Sequence, residues 1–101
     1  MKTKCFKLIN DEEIIADVEN DAGTFVVLKN PMVLAVVGEG KLAMYPWLPL
    51  AEKQEHILQC HNILIEYIPN AQILSGYKQR TGGIVAASPG LLNQLGGWED
   101  R

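Results

Sequence analysis

The chain has 101 residues, of which 48% are hydrophobic and 21% are charged, and its formal net charge is −3. This length and composition predict one globular domain and argue against global disorder. The negative charge excludes a protein that grips nucleic acid with its whole surface, although a small local site remains compatible with it. The sequence shows no secretory signal and no membrane-spanning run, and its two cysteines form no disulfide framework. We therefore expect a cytoplasmic protein without a membrane partner.

Short apolar segments separated by turn residues fill the first two thirds of the chain. Residues 13–19 alternate between apolar and polar side chains, which is typical of a strand with one wet face. Residues 25–29 are rich in β-branched and aromatic side chains. Pro31 is expected to hold Asn30 in extended geometry, so that the chain continues as a bent strand. The other predicted strands cover residues 5–9, 32–37, 41–45, 56–60 and 63–68.

These segments predict an all-β class, a small barrel or strongly bent antiparallel sheet. We assign residues 1–69 to this domain and residues 70–101 to a mostly irregular C-terminal tail. A short helix is predicted near 89–95, because Ser88-Pro89 can start it and Gly96-Gly97 can end it. The tail is either mobile or docks on a neighbour through its apolar residues. A barrel this small buries little core, so self-association would help to stabilise it.

The segment 44–50, with the sequence MYPWLPL, is too short to span a membrane and carries too many prolines for a central strand. Tyr45 and Trp47 can pack on the barrel or on a neighbouring subunit, as large aromatic side chains usually do. Pro46 and Pro49 also form a P-x-x-P pattern of the kind that proline-binding domains recognise. A third interpretation makes Tyr45 or Trp47 a platform on which bases stack. The sequence leaves these three interpretations open.

Metal binding and enzymatic chemistry find little support in the sequence. Cys60 and His61 are adjacent, so their side chains would face apart on extended backbone, and no Cys-x-x-Cys pair accompanies them or the remaining candidates, Cys5 and His56. No phosphate-binding glycine loop, nucleophile elbow or paired catalytic carboxylates are present. We therefore predict no metal, no cofactor and no enzymatic activity.

Two stretches, GTFVVLKNP at 23–31 and QCHNILIEYIP at 59–69, resemble the Sm-like family, which includes the eukaryotic Sm and LSm proteins and the bacterial RNA chaperone Hfq. The opening at 7–19 is also similar to the first two strands of that family. The combination of KNP, PWLP and a downstream histidine is most like small Sm-like proteins of tailed phages, including cyanophages. The resemblance covers about residues 4–69.

The resemblance implies a strongly bent, five-stranded SH3-like barrel whose fourth strand pairs with the fifth strand of a neighbour, closing a homo-oligomeric ring of about five to seven copies. It also implies binding of single-stranded RNA, in the host cytoplasm if a phage encodes the protein. Phe25 would stack on a base, with polar contacts around it. The RNA-binding residues implied in this way are Thr24, Phe25, His61 and Asn62.

The sequence departs from the family pattern at several positions. Cys60 replaces the lysine of the bacterial Lys-His turn, the family's N-terminal helix is missing, and the stretch 38–55 is longer than in the bacterial chaperone. The alternative hypothesis is a non-enzymatic protein-binding or structural module of phage origin, which would use segment 44–50, with Tyr45 and Trp47, and the apolar tail.

Overall fold

In the computed structural model, six antiparallel strands form one strongly curled sheet, which confirms the predicted all-β class. The structure describes residues 1–82. Between the last two strands, a 3-10 turn spans Cys60–Asn62. The strands are β1 (Lys2–Leu8), β2 (Glu13–Asp21), β3 (Phe25–Val37), β4 (Lys41–Pro46), β5 (Glu55–Gln59) and β6 (Ile63–Tyr67).

The strand order is β4-β3-β2-β1-β6, and β5 pairs with β3 beside β4. The 13-residue β3 therefore has two partners along one edge. Its first half, from Phe25 to Lys29, pairs with β5, and its second half, from Met32 to Val37, pairs with β4. Six strands replace the expected five because residues 47–54 interrupt this edge. Pro46 precedes the interruption and Pro49 lies within it, and neither can donate a ladder hydrogen bond.

The bend in β3 lies at Asn30, where the prediction of extended geometry is wrong. Asn30 has a φ of 53°, in the left-handed region that asparagine tolerates better than most residues. Its backbone N–H donates to the carbonyl of Gln54 at 2.7 Å, on the segment that returns to β5. The left-handed residue thus turns the strand between its two partners, and the following Pro31 did not prevent it.

One face of the sheet forms the hydrophobic core. Phe6, Ile14 and Val33 lie directly opposite one another on β1, β2 and β3, so their side chains share this face. The register also aligns Cys5, Ile15 and Met32 on the opposite face, where they form a second row of buried side chains. The core residues are Phe6, Leu8, Ile14, Ala16, Val26, Leu28, Val33 and Leu58.

The chain divides after Pro69 into two units, residues 1–69 and residues 70–101. Within the second unit, α1 spans Ala71–Thr81, so the prediction of an irregular tail is wrong for these residues. Asn70 is the N-cap, and its side chain accepts a hydrogen bond from the backbone N–H of Ile73 at 2.9 Å. The Pro69-Asn70 pair, which predicts the end of a strand, also contains the N-cap residue of this helix. The predicted helix near 89–95 lies outside the described residues.

Candidate functional site

The structure brings together the two segments that carry the predicted RNA-binding residues. Phe25 is the first residue of β3 and lies opposite Gln59, the last residue of β5. The backbone N–H of Cys60 donates to the carbonyl of Thr24 at 2.9 Å. The turn before β3 and the 3-10 turn before β6 are therefore joined at one end of the sheet, although Thr24 and Cys60 are 36 positions apart in the sequence.

The four predicted side chains are available to a ligand to different degrees. Thr24 and His61 are exposed, whereas Phe25 and Asn62 are half-buried. Within residues 1–82, the Thr24 hydroxyl, the His61 imidazole and the Asn62 amide form no side-chain hydrogen bonds. The backbone carbonyl of Asn62 accepts from the N–H of Ile9 at 2.9 Å, which fixes the turn against the end of β1. The ring of Phe25 therefore lies beside polar side chains that are available to form hydrogen bonds with a ligand.

Gln59 is a member of this cluster that the sequence reasoning missed. Because it lies directly opposite Phe25, its side chain leaves the same face of the sheet. It is exposed, and its amide has no hydrogen-bond partner among the described residues. Only the strand register could have identified it, since nothing in the local sequence distinguishes it from a solvated glutamine.

The cluster has no cation of its own, because residues 22–25 and 59–62 contain neither lysine nor arginine. A ligand would be held by stacking and by hydrogen bonds from neutral groups, with little phosphate neutralisation. The nearest strand cation in sequence, Lys29, is already engaged in an interaction. Each such site is expected to bind weakly by itself.

Trp47 is a structural residue of the domain. Its indole packs against the hydrophobic core, and its ring meets His56 edge-on at a centroid distance of 6.5 Å. Its Nε1–H donates to Oε1 of Glu12 at 3.2 Å, and its backbone N–H donates to the carbonyl of Pro31 at 3.0 Å. These contacts favour the packing interpretation over a base-stacking platform.

The rest of segment 44–50 is more exposed. Tyr45 keeps 47% of its surface accessible, and Leu50 keeps 98%. The N–H of Ala51 donates to the carbonyl of Leu48, and the side chain of Gln54 donates to the same carbonyl, so the segment folds back on itself. A polyproline helix is extended and has no internal hydrogen bonds. The P-x-x-P pattern therefore does not have the geometry that proline-binding domains require.

A cleft of about 380 Å³ opens beside β5. One wall is the end of β1 and the turn after it, and another is three consecutive residues of β5. Trp47 and Asn62 complete the lining, so the cleft is continuous, through Gln59 and Asn62, with the cluster of predicted RNA-binding residues. The full lining is Leu8, Ile9, Asn10, Trp47, Ile57, Leu58, Gln59 and Asn62.

A second polar group links β1, β2 and β6 but has the character of a structural contact. The hydroxyl of Tyr67 donates to Oε2 of Glu13. Burial, and then this bond to a carboxylate, raise the pKa of Tyr67 well above its ordinary value. Burial likewise raises the pKa of the neighbouring Cys5 thiol. Both groups therefore stay protonated near neutral pH, which is the opposite of what a nucleophile needs.

The metal candidates do not assemble. Cys5 is paired with Tyr67 on β6, whereas Cys60 and His61 lie in the 3-10 turn. Across residues 1–82, no group of three or more histidine, cysteine, aspartate or glutamate side chains is placed to hold a metal ion. In the same part of the chain, no helix has the length and apolar character needed to cross a membrane.

The fold and the cluster define a small antiparallel β-domain of barrel-like curvature with an aromatic and amide-rich end. No family model matches the chain, and no curated protein matches it. We therefore infer a function from the residues themselves and from the resemblance of residues 4–69 to the Sm-like family.

Proposed function

We propose that the protein is an Sm-like domain that self-assembles into a ring of about five to seven copies and binds single-stranded RNA. The observation that carries the proposal is the hydrogen bond from Cys60 to Thr24, because it joins the two segments that the family resemblance assigns to RNA. Phe25 would stack on a base. Thr24, His61 and Asn62 would donate and accept hydrogen bonds around that base.

Self-assembly is supported by the strand edges. Within residues 1–82, β6 pairs only with β1, and β5 pairs only with β3, so one edge of each strand has no strand partner. Exposed edges of this kind are aggregation hazards unless they are paired or covered. Repetition around a ring would also combine several weak base contacts into one useful affinity.

The test is an anisotropy titration of labelled U-rich and A-rich RNA at two salt concentrations. We expect micromolar binding that weakens with salt and is reduced in a Phe25→Leu variant, which keeps an apolar side chain but loses the ring. Stacking of one base contributes about 1–3 kcal/mol, which corresponds to roughly 5- to 150-fold in affinity. Tyr45→Leu is the matched control, because Tyr45 is an exposed aromatic residue of β4 outside the cluster. Equal loss in both variants, or no binding at low salt, would contradict the proposal.

A second candidate function is protein binding through segment 44–50. The specific observation in its favour is Leu50, a fully exposed leucine on a turn held by two hydrogen bonds to the Leu48 carbonyl. A rigid apolar knob of this kind is typical of an anchor residue for a partner pocket. Absence of RNA binding at low salt, together with a direct interaction that Leu50→Ser abolishes, would favour this candidate over RNA.

A further inference from the structure

Gln59 and Phe25 form the cross-strand pair at the end of the ladder between β5 and β3. The backbone N–H of Cys60 donates to the carbonyl of Thr24, so these two residues form a hydrogen-bonded pair. Hydrogen-bonded and non-hydrogen-bonded pairs alternate along an antiparallel ladder. The adjacent Phe25 and Gln59 are therefore a non-hydrogen-bonded pair, in which the Cα atoms lie about 4.5 Å apart and the side chains are closest.

The next pair along the ladder shows which face of the sheet these two side chains occupy. Val26 lies opposite Leu58, and both residues belong to the core. Because successive residues of a strand point to opposite faces, Phe25 and Gln59 leave the sheet on the side away from that core. Cys60 packs against the core and does not share this face. Gln59 is therefore the polar side chain that the ladder places directly beside Phe25.

The amide of Gln59 is available to a ligand. Gln59 is exposed, and its amide has no hydrogen-bond partner among the described residues. A side-chain amide carries a donor and an acceptor next to each other, so it can form two hydrogen bonds with a base edge of complementary pattern. Single-stranded RNA is commonly recognised in this way, with a base stacked on an aromatic ring and hydrogen bonds to its edge.

The composition of the cluster favours adenine as the base that is read. Adenine presents its amino group beside a ring-nitrogen acceptor, and a glutamine amide pairs with this pattern through two hydrogen bonds. Guanine is most often read by arginine or lysine, and residues 22–25 and 59–62 contain neither. A purine also covers more of an aromatic ring than a pyrimidine does, which strengthens stacking.

We propose that Gln59 is a specificity-determining residue, whose amide reads the edge of the base stacked on Phe25 and gives the site a preference for adenine. The inference rests on the proposed RNA-binding function and adds to it a residue and a base. One amide–base pair with two hydrogen bonds discriminates by about 5- to 150-fold in affinity. Because Gln59 is exposed, we expect the lower part of this range, about five- to tenfold.

A chemical double-mutant cycle isolates this contact. Anisotropy titrations compare a short adenine oligonucleotide with a second one in which unsubstituted purine, which lacks the amino group, replaces each adenine. Both edges of adenine that match an amide include this amino group, so purine removes the paired contact whichever edge is read and keeps the fused ring that stacks. Wild type should bind the adenine oligonucleotide about five- to tenfold more tightly, whereas Gln59→Leu should bind both equally.

Two further variants separate the reading of the base from stacking and from unspecific effects. Phe25→Leu should weaken the binding of both oligonucleotides, because each of them stacks. Gln79→Leu is the matched control, because Gln79 is an exposed glutamine of α1 outside the cluster, and it should keep the wild-type ratio of the two affinities. Since Gln59 is itself exposed, Gln59→Leu should fold, and its thermal unfolding verifies this.

The other outcomes overturn separate statements. If wild type binds RNA and Phe25→Leu weakens it, but Gln59→Leu keeps the wild-type ratio, Gln59 does not read the base and the proposed function stands without it. If wild type binds a uracil oligonucleotide more tightly than the adenine one, the assignment of adenine is wrong. If wild type binds no oligonucleotide at low salt, the proposed RNA-binding function fails, and this inference fails with it.

Discussion

Replacing Trp47 with phenylalanine tests whether this residue anchors the domain, as its contacts indicate. The indole packs on the core while its Nε1–H donates to the Glu12 carboxylate at 3.2 Å. Phenylalanine retains an aromatic ring but loses the donor and part of the packed surface. A net hydrogen bond contributes about 1 kcal/mol, and the smaller ring adds a loss of similar size.

We therefore expect Trp47→Phe to lower the free energy of unfolding by about 1–2 kcal/mol, and Trp47→Ala by about 2–3 kcal/mol. The second figure lies below the range of about 3–5 kcal/mol for buried aromatic residues because Trp47 is only half-buried. For a domain of this size, each kcal/mol corresponds to a fall of about 4–8 °C in the melting temperature. Urea unfolding followed by far-UV circular dichroism measures both quantities.

A double-mutant cycle with Glu12→Ala isolates the hydrogen bond. The carboxylate of Glu12 also accepts from the side chain of Asn10 at 2.9 Å, so the single Glu12→Ala variant reports on two bonds. The coupling between Trp47→Phe and Glu12→Ala reports only on the shared bond and should be about 1 kcal/mol. A coupling near zero, combined with an unchanged stability of Trp47→Phe, would refute the anchoring role and return Trp47 to the candidates for ligand binding.

Native protein should be alkylated by iodoacetamide at the half-buried Cys60 and not at Cys5, whose burial also raises its thiol pKa; equal rates by mass spectrometry would contradict this. A hydrogen bond with Glu55 raises the pKa of Glu19 above its ordinary value of 4.5. The stabilisation from this bond is therefore fully present below the ordinary pKa, and it is lost as the pH rises through the raised pKa. Glu19→Gln should flatten the dependence of the melting temperature on pH above the ordinary carboxyl pKa, and an unchanged slope would exclude the pair. Glu39 has a φ of 60°, so Glu39→Asn should stabilise the turn by about 0.5 kcal/mol, and a lower melting temperature would contradict the strain.

The all-β class could be predicted because its signals are local. Alternation in residues 13–19 and the β-branched run at 25–29 each report the faces of one strand, and the structure places both within strands. It was harder to predict that β4 and β5 would pair with different halves of one edge of β3, because this depends on where the partner residues of β3 lie. The prolines of segment 44–50 excluded a central strand, but they gave no indication that the chain would return to pair with β3 as β5.

The candidate site could be predicted only in part. Thr24 and Phe25 on one segment, and His61 and Asn62 on the other, followed from the family resemblance, and the ladder between β3 and β5 brings them together. Gln59 could not be predicted, because its place beside Phe25 is a property of register. Helix α1 was missed for a different reason. Its first turn begins directly after a proline that ends a strand, and its apolar residues are too few to give a clear helical period.

The interruption at residues 47–54 links the unusual segment 44–50 to the proposed assembly. An uninterrupted edge beside β3 would offer a neighbour a long row of backbone donors and acceptors. Here β4 ends at Pro46, which has no donor, and the chain turns away before β5 begins at Glu55. Three residues of β5, Ile57, Leu58 and Gln59, then border the cleft that Trp47 also lines. The same prolines that break the strand therefore limit the backbone edge that the proposed self-assembly would use, and Trp47, which lies between them, lines the cleft beside β5.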